Sequence, residues 1–299
     1  MNKPVNHHFV PQHFLSAWAI GKESKKLCRF KRIEHTGKFE VKNASIKHSA
    51  NIKNLYEMIF PDGSFEIEST HVTPKLDEVG YKALNSVRGA DYAIIPTSTK
   101  KDLAFYLTCL EARNPSVLEL MELSEEEFLS IKKSMTQGSK DSIDEVFSYV
   151  GSSPTKSVMA FALFIVNELT GFQSKPFHHG LLNANVEEFN FDTDCLLTSD
   201  YPTFRMGHYN TDVLFSVAVT PRKALVYSAN EFAQLFELLP KDEKIKIINL
   251  LTVAKAKSAY SNNDDLAPFV EEHLGWAIGN SSQAHIQQYI LKNITSKSR

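Results

Sequence analysis

Two neighbouring stretches, Leu27-Cys28-Arg29-Phe30-Lys31-Arg32-Ile33 and Lys38-Phe39-Glu40-Val41-Lys42, alternate apolar and basic residues. A period of two belongs to half-buried strands, which turn one face to a core and the other to polar surroundings. The apolar face of such a ribbon needs a cover. A second hairpin is expected over Tyr56–Phe60 and Ser64–Ile67, because Pro61-Asp62-Gly63 supplies a fixed φ and a left-handed glycine between them. The short stretch from Gln12 to Ala19 is expected to be helical after Pro11.

Beyond residue 70 helix signals dominate. Thr73-Pro74 opens a helix that runs to Arg88 and stops at Gly89. Thr99-x-x-Asp102 starts another that ends at Arg113, before Asn114-Pro115. Ser124-x-x-Glu127 is a capping box, and Ser153-Pro154 begins an apolar helix closed by Gly171. Strand character returns at Cys195–Thr198, Val213–Val219 and Ala224–Tyr227; helices are expected at Asn230–Leu239, Asp242–Ser261 and Ser282–Ile294. The pattern predicts an α+β fold: a predominantly helical body, an N-terminal antiparallel β ribbon, and a second short strand patch near 195–227. No regular strand–helix alternation and no glycine-rich nucleotide loop point to a doubly wound sheet. A single domain over 1–299 is expected, with the hairpins in 1–70 and the helical body in 71–299.

At 299 residues and 42% hydrophobic, the chain can bury a core without disulfides or a structural metal. Cys28, Cys109 and Cys195 are dispersed, without C-x-x-C spacing, as in a reduced cytosolic protein. The N-terminus has no apolar leader segment, and the longest apolar run, Val158–Val166, is far short of the ~20 residues of a membrane span. A cytoplasmic bacterial protein with no membrane partner is expected; the oligomeric state is not legible.

Charge is segregated even though the net value is −2. Ten Lys and Arg against three acids lie between Lys22 and Lys53, whereas Glu187, Glu188, Asp192, Asp194 and Asp200 lie between Lys175 and Arg205 with no base among them. The overall balance excludes a uniformly basic nucleic-acid binder. The Lys22–Lys53 segment, with Lys31 and Arg32 in its first strand, is the candidate phosphate-facing surface.

Chemistry-bearing residues concentrate in Asn6-His7-His8-Phe9-Val10-Pro11-Gln12-His13-Phe14-Leu15. Adjacent histidines on a strand face opposite ways, and His8 is favoured over His7 as the acid–base group because it lies nearer the helix start. A second pair, His178-His179, lacks H-E-x-x-H spacing. Glu68, and Asp200 in Thr198-Ser199-Asp200-Tyr201-Pro202, are the accompanying carboxylate candidates. A divalent metal is compatible with this set, although no ligand group is specified. His-Asn-His nucleases share the first part of the pattern but not its later helix, and no G-x-S-x-G elbow occurs.

The run His7 to Leu15, the Asn54-Leu55-Tyr56 element, Ile67-Glu68, Arg113-Asn114-Pro115, Thr198 to Pro202, Val219-Thr220-Pro221 and the helix from Asn249 together resemble the bacterial domain of unknown function 4238 family. The resemblance implies a shared polar constellation and no assigned activity. It departs from the family pattern at His13, where Phe or Tyr is usual, and Arg113 is matched loosely. Gln12, Asn54, Tyr56 and Arg113 join Lys31 and Arg32 as candidate binding residues, and His7 or His8, together with Gln12, Asn54, Glu68 and Asp200, is expected to line one cleft. Two functions compete on these residues. One is a nuclease-like effector acting on DNA or RNA phosphodiesters, of the toxin or phage-defence kind; the other is a non-catalytic nucleotide- or protein-binding module. A small-metabolite hydrolase or transferase is the third reading.

Overall fold

The computed structural model describes residues 6–21, 23–53, 55, 57–60, 63–66, 76–120, 176–229 and 239–279, with scattered positions between 126 and 140 and between 285 and 292. The described elements, in chain order, begin with β1 (Asn6–His8), α1 (Gln12–Leu15), β2 (Lys26–Arg32), β3 (Phe39–Ser45), β4 (Asn51–Lys53), β5 (Glu57–Phe60) and β6 (Gly63–Glu66). Helices α2 (Glu78–Gly89), α3 (Thr97–Ala112), α4 (Pro115–Leu120) and α5 (Phe177–Asn183) follow. Then come β7 (Asn185–Asn190), β8 (Thr198–Ser199), β9 (Thr203–Met206), β10 (Leu214–Thr220), β11 (Lys223–Ser228), α6 (Lys241–Val253), β12 (Ser258–Ser261) and α7 (Ala267–His273). Helices and antiparallel sheets are both present, and the fold is α+β. No helix among the described residues is long and apolar enough to cross a membrane.

Contacts cluster in two compact units. The first comprises Met1–Phe9, Asn51–Ser86 and Pro96–Leu182; the second comprises Val10–Ala50, Val87–Ile95 and Asn183–Arg299. In the first unit β1 pairs antiparallel with β4, His7 opposite Ile52, and β5 pairs with β6 in the expected hairpin. Helix α3 is buried almost continuously from Leu103 to Ala112. It begins at Thr97, two residues ahead of the Thr99 reading, because Pro96 with ψ 144° holds the extended position before the first turn. Gly80 of α2 meets the Tyr106 ring so closely that a Cβ would fall 2.0 Å from it.

The second unit holds two four-stranded sheets, ordered β7-β11-β10-β9 and β3-β2-β12-β8. Strand β10 is buried over six of its seven residues and β11 over five of its six, as expected where both faces are covered. Helix α6 packs on β8, β9 and β10, and so touches both sheets, while α7 packs on α6 and β2. Arg88 ties this unit together, donating Nε to Val219 O and its Nη atoms to His13 O and Phe14 O.

The structure departs from the sequence reading in two places. The helix expected over Asp242–Ser261 ends at Val253, and residues 258–261 form β12. No glycine stops it; the N–H groups of Gly275 and Ala277 take the Val253 and Ala254 carbonyls at 2.8 Å each, so tertiary partners satisfy the helix end. The expected basic ribbon is present and forms half of a sheet that β12 and β8 complete. The later strand patch is larger than 195–227, since it starts with β7 at Asn185, includes β9, and leaves Cys195–Leu197 outside any strand. The capped starts at Thr73, Ser124 and Ser153 and the helix expected at Asn230 lie outside the described residues.

One buried amide fixes the approach to β8. Asn249 on α6 accepts the Leu197 N–H at 2.9 Å and donates to Cys195 O at 2.8 Å, while Trp18 Nε1 donates to Leu196 O at 2.9 Å. Asn249→Ala strands a buried donor and a buried acceptor, and is expected to cost about 2–4 kcal/mol. Urea unfolding of the variant checks this; a midpoint equal to the parent's contradicts it.

Candidate functional site

In the first unit His7 is buried and His8 half-buried on β1. The His8 carbonyl accepts from Arg113 Nη2. Arg113 follows the last turn of α3, is wholly buried, and pairs through Nη1 with Asp77 Oδ1 at 2.7 Å. A buried guanidinium is tolerable only with such partners. Arg113 therefore anchors the His-His strand through its backbone, and Asn114 Oδ1 accepts the Ser116 N–H at 3.0 Å to start α4. Among the described residues no group of His, Cys, Asp and Glu is arranged to hold a metal ion.

The second unit contains the more developed constellation. Directly paired residues of antiparallel strands share a face. In the sheet β3-β2-β12-β8 one row therefore reads Lys42, Arg29, Tyr260, Thr198, and the next reads Glu40, Lys31, Ser258. Asp200 extends the second row. Its N–H donates to Ser258 O at 3.0 Å, and its carboxylate accepts the Lys257 N–H at 3.0 Å. The opposite face carries Cys28, Phe30 and Ala259 into a core with Leu197, Val253 and Val270. One sheet thus has a dry face and a polar face.

Electrostatics differ along the polar face. Glu40 accepts from Arg29 Nη2 at 3.1 Å and from Lys42 Nζ at 2.9 Å, and its carboxyl is held below the usual range, chiefly by the hydrogen bond from Lys42. Asp200 goes the other way. Burial pushes its carboxyl up to about 6, against the pull of the Ser258 and Lys257 N–H groups and the nearby charges of Lys257 and Lys31. A carboxyl with that value exchanges protons near neutral pH. Burial also raises the Tyr260 phenol, whose oxygen accepts the Ala50 N–H. Ala50 has φ 48°, a left-handed conformation uncommon outside glycine, and its carbonyl accepts the Val10 N–H at 3.4 Å.

The sequence candidates therefore fall into three groups. His7, His8 and Arg113 lie in the first unit. Gln12, Lys31, Arg32 and Asp200 lie in the second, where Lys31 is brought to Asp200. Asn54, Tyr56 and Glu68 fall outside the described side chains. Gln12 is exposed at the first turn of α1. Lys31 and Arg32 face opposite sides of β2, and Arg32 is taken up by the Glu271 carbonyl and the Phe39 ring. Several family-like polar residues hold the backbone. Ser199 Oγ, for instance, donates to Thr252 O at 2.9 Å and accepts the Tyr201 N–H at 3.1 Å. Sequence reasoning missed Arg29, Thr198, Ser258 and Tyr260 as a set. The alternation of Ser258-Ala259-Tyr260-Ser261 was the available signal, masked by the helical reading of the preceding Ala-Lys repeats.

The fold and the polar sheet face define an α+β protein with a half-buried array of cations, hydroxyls and one proton-exchanging carboxyl. The family model described as "Protein of unknown function (DUF4238)" matches residues 6–265, and the chain belongs to that family. No curated protein and no solved structure matches it.

The raised Asp200 value carries a sign. A carboxyl protonated more readily in the folded than in the unfolded state lowers stability as pH rises from about 4 through about 6. Asp200→Asn keeps an acceptor for Lys257 N–H without the charge. The variant is expected to melt above the parent at pH 7.5, by roughly 2–4 °C per kcal/mol recovered, with the gap closing below pH 4. Thermal melts across pH 4–8 check it; a variant that melts lower throughout contradicts the assignment.

Proposed function

We propose that the protein acts on phosphoesters through the polar face of the β3-β2-β12-β8 sheet, as a nuclease-like enzyme. The feature that carries this reading is Asp200, whose carboxyl burial pushes up to about 6, beside the charge of Lys31 and in the row next to that of Arg29. Lysine and arginine side chains attract and orient a phosphate, and a neighbouring carboxylate accepts the proton of the attacking water. In this scheme Lys31 positions the phosphate and Asp200 is the general base. The carboxylate is mostly ionised above about pH 6, so the rate rises with pH through that value. The reading uses the second unit alone. His7 and His8 remain candidate acid–base groups of the first unit, and a divalent metal is compatible with the proposal. A cytoplasmic setting and a role in toxicity or phage defence belong to the same proposal.

A binding module is the second reading. It is favoured by Glu40, which already engages Arg29 and Lys42, and by the Asp200 carboxylate, which already takes the Lys257 N–H. End-labelled single- and double-stranded DNA and RNA, with magnesium or with chelator, separate the two. Cleavage by the parent is expected to show an acid limb near pH 6, and Asp200→Asn is expected to lose about 100-fold or more in kcat. Lys31→Gln should flatten the log–log salt dependence of binding by about one unit. Salt-sensitive binding without turnover supports the module, and absence of any salt-sensitive binding overturns both readings.

A further inference from the structure

Strand β3 is an outer strand of its sheet, paired with β2 alone among the described residues. Its seven residues pair without a bulge, and it contains no proline. Proteins blunt exposed edges with such devices, because a row of unpaired N–H and C=O groups recruits another strand. The register tells which groups are open. Just beyond the two ends of the ladder, the Ile33 N–H donates to Lys38 O and the Ile46 N–H to Lys25 O, each at 2.9 Å. Direct exchange of this kind recurs at every second residue of an antiparallel pair, so Glu40, Lys42 and Ala44 turn their backbone groups to β2. Phe39, Val41 and Asn43 turn theirs away, and no described residue takes them. Val41, 38% accessible, is exposed at the middle of the strand together with Lys42 and Asn43.

We infer that β3 is a homodimer contact, in which two copies of the chain join their β3 strands antiparallel about a two-fold axis at Val41. The two four-stranded sheets then become one continuous sheet. An isologous contact pairs a strand with itself, and the charges of β3 select the register. Centred on Val41, Glu40 of each copy lies opposite Lys42 of the other. Both pairs fall at the positions without direct backbone bonds, where facing Cα atoms are closest, about 4.5 Å. Within one strand Lys42 Nζ already lies 2.9 Å from Glu40, so the two copies complete a square of alternating charges. Other centres do worse. Glu40 or Lys42 on the axis faces its like, Asn43 on the axis leaves both charges unmatched, and Phe39 on the axis leaves the strand after one residue. Strand β2, by contrast, carries Lys26, Arg29, Lys31 and Arg32 with no acid, and its outer edge is closed by β12. The inference is independent of the phosphoester reading.

The test is sedimentation velocity of the full-length chain at low salt. A contact of one strand pair is smaller than a permanent interface, so a reversible dimer is expected, forming as concentration rises from about 1 to about 300 μM. Val41→Pro removes the outward N–H at the axis and no bond to β2, and is expected to weaken dimerisation at least tenfold. Glu40→Lys and Lys42→Glu, each alone, set like charges opposite and should weaken it at least tenfold as well. An equimolar mixture of these two variants sets two positive charges against two negative ones, and is expected to restore most of the affinity as a heterodimer. Far-UV circular dichroism of each variant should match the parent's. A parent that stays monomeric throughout overturns the inference. So does a dimer that Val41→Pro leaves intact, or a mixture of the folded charge variants that stays monomeric.

Discussion

The pairing of β12 on both its edges decides the rest of the second unit. Four residues, Ser258 to Ser261, join a strand at residues 26–32 to a strand at 198–199. Without β12, β2 and β3 would be a two-stranded ribbon, marginal in water by itself. With it, Phe30 and Cys28 gain Ala259 and the helix residues behind them as a dry core, and Arg29, Lys31, Tyr260 and Thr198 are drawn into common rows. The site is thus a by-product of register. A slip of one residue would move the entire polar set to the core side, and the Asn249 bonds to Cys195 and Leu197 help to hold the register of the short β8.

Local chemistry was legible in the sequence where the determinant was local. The alternation at 27–33 and 38–42, the hairpin around Gly63 and the helix through Arg113 each depend on neighbours a few positions apart, and each appears in the structure. Elements whose determinant was distant were not legible. Strand β12 follows Ala254-Lys255-Ala256-Lys257, a good helix-forming run, and becomes a strand because two other strands supply its hydrogen bonds. Helix α6 ends where Gly275 and Ala277 reach its carbonyls, more than twenty residues further along the chain. The candidate site was legible in part: Asp200 and Lys31 were singled out separately, and only the register joins them.

The family's polar motifs have a double meaning that composition alone does not separate. Polar residues in conserved-looking positions suggest a pocket, yet Trp18, Asn249, Ser199 and Arg88 spend their hydrogen bonds on backbone groups of the same unit. Arg113 does the same for His8 in the other unit. Such residues act as fixed brackets for irregular backbone, where ladder bonds do not reach. Tyr260 acts in the same way, its oxygen receiving the N–H of Ala50, whose left-handed backbone needs outside support.

The double pairing of β12 also sets an order on synthesis. The second unit draws its strands from both sides of a long intervening stretch, so β2 emerges from the ribosome more than two hundred residues before the strand that completes its sheet. Until then Phe30 and Leu27 have no final cover, and the ribbon presents an open edge of unpaired N–H and C=O groups, the kind of surface that recruits other chains. Its alternating lysines and arginines then serve a purpose apart from any ligand: like charges on an unfinished edge repel a second nascent copy while the partner strand is still being made.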